Sequence, residues 1–177
     1  MGTRFRLEST PQAKPFLKWA GGKTQLIPEL VKRLPEQIRK SGKIEMYIEP
    51  FVGSGAFFFY LFNNFTIKKV ILIDNNPDLI MAYNVIKKFP QDLIEQLNIH
   101  SNKYNHKCKS EEDKKDYFYS VRDGFNIQKQ KINYNKFSGD WAARAAMLIF
   151  LNRTCFNGLF RLNSKGEFNV PHGRYIN

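Results

Sequence analysis

The chain of 177 residues carries 28 Lys and Arg against 16 Asp and Glu, a formal net charge of +12, which points to a polyanionic partner, nucleic acid first. Its 42% hydrophobic and 15% aromatic content suffices for a packed core and excludes a disordered chain. The longest uncharged apolar runs, Ala56 to Phe62 and Ala145 to Leu151, are too short to span a bilayer, and the N-terminus lacks the apolar stretch of a signal peptide, so no membrane and a cytoplasmic location are expected. The plainer reading of the charge is a lysine-rich solvated surface, because net charge does not say where charge sits. Cys108 and Cys155 lie far apart and form no C-x-x-C pair, so neither a disulfide framework nor a zinc site is expected.

In chain order, residues 1–15 read as a flexible leader: the stretch from Glu8 to Gln12 is polar, and Pro11 and Pro15 set the chain without building a period. Order is expected from Phe16. Leu26, Ile27, Leu30, Val31 and Leu34 have helical spacing, and Pro35 ends that helix. Gly22-Lys23-Thr24 resembles the end of a phosphate-binding P-loop, but Leu17 stands where its first glycine is required. A nucleotide triphosphatase is therefore the lesser alternative.

The rest of the chain is organised around Tyr47-Ile48-Glu49-Pro50-Phe51-Val52-Gly53-Ser54-Gly55-Ala56-Phe57, which reads as a strand, a tight loop and a helix start. Such a loop offers bare backbone N–H groups at a helix N-terminus, where two positions without a Cβ let a ligand come close. The next strand ends at Asp74, about 20 residues past the glycine turn, where a Rossmann-like half-sheet places a carboxylate for the hydroxyls of a ribose. A nucleoside-containing cofactor follows. Phe58 replaces the third glycine of G-x-G-x-x-G, which argues against a dinucleotide.

Asn76 is the expected N-cap of a helix that starts at Pro77 and runs to about Phe89, and Pro90 opens another through Leu97. The polar stretch from Ser101 to Lys109 reads as a loop. Ser110 to Asp113 resembles a capping box for a helix through Phe125, and Ser138 is expected to cap a last one from Trp141 to Asn152. Residues 158–170 read as two short strands with Gly166 at a left-handed turn position. The fold class is α/β: a partial Rossmann-like sheet carrying an inserted helical plus β-hairpin unit. Two strands cannot bury both their faces, so further chain beyond Asn177 is expected.

Three blocks in one order carry a resemblance. They are Phe16-Leu17-Lys18-Trp19-Ala20-Gly21-Gly22-Lys23, then Glu49-Pro50-Phe51-Val52-Gly53-Ser54-Gly55, then Asn152-Arg153 with Phe156-Asn157-Gly158-Leu159-Phe160-Arg161 and the stretch Gly166 to Tyr175. Together they resemble the Dam family of S-adenosylmethionine-dependent DNA adenine N6-methyltransferases, the D12 class. The resemblance implies that residues 16–76 are the N-terminal part of the domain holding S-adenosylmethionine, with Trp19, Lys23, Glu49, Phe51, Gly53, Gly55 and Asp74 at the cofactor. It implies that residues 77–177 recognise double-stranded DNA, with GATC the common target. Lys18 and Arg161 would contact bases, Phe156 and Leu159 would wedge the stack, and Asn169 and Pro171 would lie near the bases.

Arginine suits such a role because its forked donors match guanine O6 and N7, although Arg161 taken alone is an ordinary solvated charge. Phe156 stands where a tyrosine is usual, and His172 where another aromatic is usual. The family's catalytic Asp-Pro-Pro-Tyr or Phe, which holds a flipped adenine, is absent, since no Pro-Pro pair occurs. The expectation is a truncated enzyme with no useful activity alone and weak cofactor affinity. The alternative from another class is a non-catalytic DNA-binding module.

Overall fold

In a computed structural model the protein is described over residues 12–19, 21 and 23–173. Most of the expected leader, with Ala20, Gly22, Arg174 and Tyr175 of the family blocks, lies outside those residues. Within the leader's described part, Ala13 is already anchored, because the Asn63 side-chain amide brackets its backbone N–H and C=O at 3.1 and 2.7 Å.

A short 3-10 turn, Lys23–Leu26, leads into α1 (Ile27–Lys32). Pro35 ends this first helical segment as expected but also opens α2 (Glu36–Ser41), which the sequence reading did not foresee. Then come β1 (Lys43–Pro50), α3 (Ala56–Asn64) and β2 (Thr66–Ile73). The strands pair in parallel, with Ile44 opposite Ile67, Ile48 opposite Ile71 and Pro50 opposite Ile73. A parallel pair needs a crossover rather than a hairpin, and α3 supplies it. Both strands therefore end on the same side, where the loop after β1 meets the acid after β2. Met46, Ile48, Val70 and Ile73 stay exposed on this small sheet.

The remaining helices are α4 (Pro77–Lys88), α5 (Pro90–Asn102), α6 (Glu111–Gln128) and α7 (Asp140–Thr154). Helix α7 is the spine. It is buried along most of its length, including Trp141, Leu148, Phe150 and Leu151, and its small residues Ala142, Ala145 and Ala146 let α4, α5 and α6 approach it closely. One continuous apolar core runs from Leu17 and Val52 through these helices to Phe168 and Val170.

Among the described residues one charge pair sits inside it. Arg144, fully buried on α7, donates to Asp78 of α4 at 2.6 and 3.1 Å and to the Phe125 carbonyl of α6 at 2.7 Å. Its guanidinium lies 4.0 Å from the Phe125 ring centroid. Tyr134 adds its hydroxyl to Asp78 at 2.7 Å, and burial first, then the Asp78 carboxylate, pushes that phenol up to about 12. Every charged atom thus has a partner, which is what makes such burial tolerable.

Asn76 caps α4 through Leu79 N–H, and Ser110 with Asp113 forms a complete capping box on α6. Ser138 caps nothing with its side chain; its carbonyl accepts from Trp141 N–H at 3.1 Å, and Gly139 is the N-cap of α7. The expected loop from Ser101 to Lys109 is largely helical, since α5 runs to Asn102 and continues as a π-helical turn, Lys103–Lys107. The expected hairpin strands reduce to one antiparallel bridge, Leu162 with Phe168, beside a second joining Cys155 to His172. Backbone bonds flank the Leu162–Phe168 bridge, from Asn163 N–H to the Glu167 carbonyl at 2.9 Å and from Asn169 N–H to the Arg161 carbonyl at 3.1 Å, and the Asn163 side chain closes the turn by taking the N–H groups of Lys165 and Glu167 at 3.0 and 2.9 Å. Gly166 does take the left-handed conformation, at φ +73°.

Candidate cofactor cleft and nucleic-acid face

The loop from Phe51 to Gly55 turns sharply, with positive φ at Phe51 (+60°), Gly53 (+53°) and Gly55 (+73°). Gly55 is the N-cap of α3 and makes no side-chain cap, so the first N–H groups of that helix are not covered by a capping side chain. A Cβ at Gly55 would meet the Tyr83 hydroxyl at 2.5 Å, and one at Gly53 would lie 3.0 Å from Trp19 Cδ1. The two glycines therefore admit neighbours at their Cα as well as permitting the turn.

Asp74 closes this loop from below. One carboxylate oxygen accepts from Gly53 N–H at 3.0 Å and the other from Asn76 N–H at 3.0 Å. Each oxygen retains a second lone pair for a hydroxyl donor. Tyr83, from α4, donates to the Gly53 carbonyl at 3.1 Å. Burial, followed by the charges of Glu49 and Asp74, drives its phenol well above the usual range, so it remains a donor. The sequence reading missed Tyr83; nothing in its helical context marks it apart from any other half-buried aromatic.

Lys23 Nζ meets Glu49 Oε1 at 2.6 Å and the Phe51 carbonyl at 3.1 Å. Glu49 is only 3% exposed and also accepts from the Tyr47 hydroxyl at 2.8 Å. Burial and that carboxylate push the Tyr47 phenol far up. Trp19, Gly21, Lys23, Phe51, Gly53 and Asp74 line one cleft of about 370 Å³, within the range of about 300–1,000 Å³ of small-molecule sites. Glu49 and Gly55 are not among the residues lining it; the first holds Lys23 and the second starts α3. A second hollow of about 250 Å³ shares Asp74 and is walled by Ile80, Met81, Tyr134 and Trp141. The cleft suits a nucleoside bearing a charged tail: a carboxylate for hydroxyls, aromatic walls and an ammonium.

Five of the six candidate DNA residues lie in the stretch 156–171 that follows α7, and Lys18 packs against Gly158 within it. Phe156 is 52% exposed beside Asn157, which holds the left-handed conformation at φ +56°, and its N–H donates to the Pro171 carbonyl at 2.9 Å. Arg161 donates from Nε to the Asn169 side chain at 2.9 Å and is exposed. Leu159 is half-buried, and its carbonyl accepts from the Cys155 thiol at 3.2 Å. Burial pushes that thiol up to about 11, so it is not a nucleophile near neutral pH. Lys18 is exposed and lines a polar groove of about 340 Å³ with Lys114 and Arg153. Trp19 stacks on Phe160 at 5.1 Å and 17°, so one indole stands between cleft and turn.

A family model described as D12 class N6 adenine-specific DNA methyltransferase matches residues 19–177. The chain is 48% identical to the Type II methyltransferase M.MjaIII of Methanocaldococcus jannaschii, over 94% of this chain and 54% of that protein. It is 37% identical to the Type II methyltransferase M1.LlaDCHI of Lactococcus lactis subsp. cremoris, over 93% of this chain and 49% of that protein. With the DNA adenine methylase of Haemophilus influenzae the identity is 38%, over 92% of this chain and 48% of the relative. The chain spans about half the length of the curated relatives it matches. Among the described residues no helix is long and apolar enough to cross a membrane.

Proposed function

We propose that this chain, which belongs to the D12 class N6 adenine-specific DNA methyltransferase family, carries the S-adenosylmethionine cleft and the DNA-reading face of an adenine N6-methyltransferase. The observation that carries the proposal is Asp74, bonded at 3.0 Å to Gly53 N–H and lining the same cleft as Trp19 and Lys23.

The cradle fits the cofactor on its own chemistry. Asp74 offers its remaining lone pairs to the ribose hydroxyls, and Trp19 with Phe51 supplies aromatic walls. Lys23, held by Glu49, offers the methionine carboxylate a point charge. S-adenosylmethionine, when bound, supplies an electrophilic sulfonium methyl for adenine N6, a transfer that needs chiefly alignment and an acceptor for an amino proton. Among these 177 residues the chain's own work is to hold and orient; no Pro-Pro pair occurs, and no catalytic residue is assigned.

On the DNA side, Lys18 and Arg161 read bases, and Phe156 and Leu159 fill the space that a flipped base leaves. Asn169 and Pro171 lie beside them, and GATC-containing duplex is the preferred target. The sheet belongs to a Rossmann-like unit, and the helices with the 158–170 turn form the recognition insert. Support comes from Phe156, an aromatic 52% exposed next to the left-handed Asn157.

The test is equilibrium dialysis of labelled S-adenosylmethionine against the full chain and Asp74→Ala. Saturable retention that weakens about tenfold or more in the variant, roughly the worth of one or two hydrogen bonds to a charged group, is expected. Equal retention by both removes Asp74 from the site and the proposal with it.

A further inference from the structure

We infer that Asn152, at the C-terminal end of α7, is a positioning residue that sets Lys18 beside the 156–161 turn and thereby decides base discrimination; this rests on the reading of Lys18 as a base contact. Asn152 is fully buried. Its Oδ1 accepts from Lys18 N–H at 2.8 Å, while its Nδ2 donates to the Lys18 carbonyl at 2.9 Å and to the Gly158 carbonyl at 2.8 Å. One amide thus spends its acceptor and both its donors on two backbone segments far apart in sequence.

The Lys18 stem lies against Gly158 as well. A Cβ at Gly158 would press on it, with Lys18 Cβ only 3.0 Å away, and Gly158 itself sits at φ +64°. The neighbouring Arg153 reinforces the alignment by donating to the Phe16 carbonyl at 3.0 Å. The end of α7 therefore holds residues 16–18 as a strap across the turn, with Lys18 and Phe156 both exposed on it.

Asparagine is the side chain this joint requires. Aspartate has the same shape but would turn an acceptor toward two carbonyls, and leucine would remove all three of these backbone hydrogen bonds. Because Asn152 touches no solvent, its effect on DNA must pass through the placement of Lys18 against the turn.

The experiment is fluorescence anisotropy of the full chain on GATC-containing and scrambled duplexes, with Asn152→Asp, Lys18→Ala and the double variant. Asn152→Asp is expected to lower the preference for the GATC duplex about tenfold, in line with the loss of one base contact, while binding to scrambled duplex is unchanged. The double variant should lose no more preference than Lys18→Ala alone, since two residues acting through one contact are not additive. Amide exchange at residues 16–19, read by mass spectrometry, should speed up in Asn152→Asp without any DNA present.

Additive losses, or an equal drop on both duplexes, would mark Asn152 as merely structural and overturn the inference. Full preference in Asn152→Asp together with faster exchange would also overturn it while leaving Lys18 as a reader. A wild-type chain that binds both duplexes alike instead removes the DNA reading and the inference together. If Asn152→Asp does not fold, Gly158→Ala displaces the Lys18 stem from the other side and must give the same loss of preference.

Discussion

Phe51 combines two properties that stability alone does not explain: a left-handed backbone, at φ +60°, and a side chain 73% exposed. An L-residue there costs about 1–2 kcal/mol, and the exposed ring returns little of it by burial. Residues of this kind cluster where a ligand or substrate repays the strain. Phe51→Gly should therefore unfold in urea within about 1 kcal/mol of the parent, because relief of strain offsets the added freedom of glycine, while retention of S-adenosylmethionine drops in dialysis. A stability loss of several kcal/mol would make Phe51 a structural residue. Candidate residues such as Gly53 and Asp74 were legible in the sequence because loop and acid flank one crossover helix, and a parallel pair brings both strand ends to one side. Tyr83 and the burial of Glu49 were not legible, since each depends on which helix face meets the loop.

At the level of elements, α4, α6 and α7 are joined by the Arg144–Asp78 pair as well as by apolar packing. In the sequence, Asp78 looks like an ordinary acid in the first turn of a helix, favourable near its positive end. Only the approach of α7 buries it and supplies Arg144. Asp78→Ala should lower stability in urea by about 3–5 kcal/mol, the cost of leaving a buried guanidinium without its counter-ion. Replacing both, as Asp78→Leu with Arg144→Met, should cost less than the single change, and a double variant worse than Asp78→Ala would show that the charges themselves hold the helices. The capping box at Ser110 and the cap at Asn76 could be read directly because caps are local bonds over three residues. The expected two-strand hairpin comes down to the single bridge of Leu162 with Phe168, because a turn glycine between apolar residues is a local signal that does not show how far the flanking segments pair.

Over the whole molecule, the formal charge of +12 predicts how DNA binding responds to salt. If Arg153, Lys114 and their neighbours track phosphates, the logarithm of affinity should fall linearly with the logarithm of salt concentration, by about 0.9 for each phosphate neutralised. A titration that stays flat would return the charge to a solvated surface without a nucleic-acid role. By itself the sequence determined the α/β class, the strand-loop-helix with its acid, and the order of the three family blocks, because each is written in local spacing that survives without knowledge of contacts. The tertiary structure alone decided that the strap around Lys18 crosses the 156–161 turn, that Trp19 stands between cleft and turn, and that a charge pair lies within the core. Those outcomes depend on α7 burying nearly its whole circumference, so that segments remote in the chain are forced together around it.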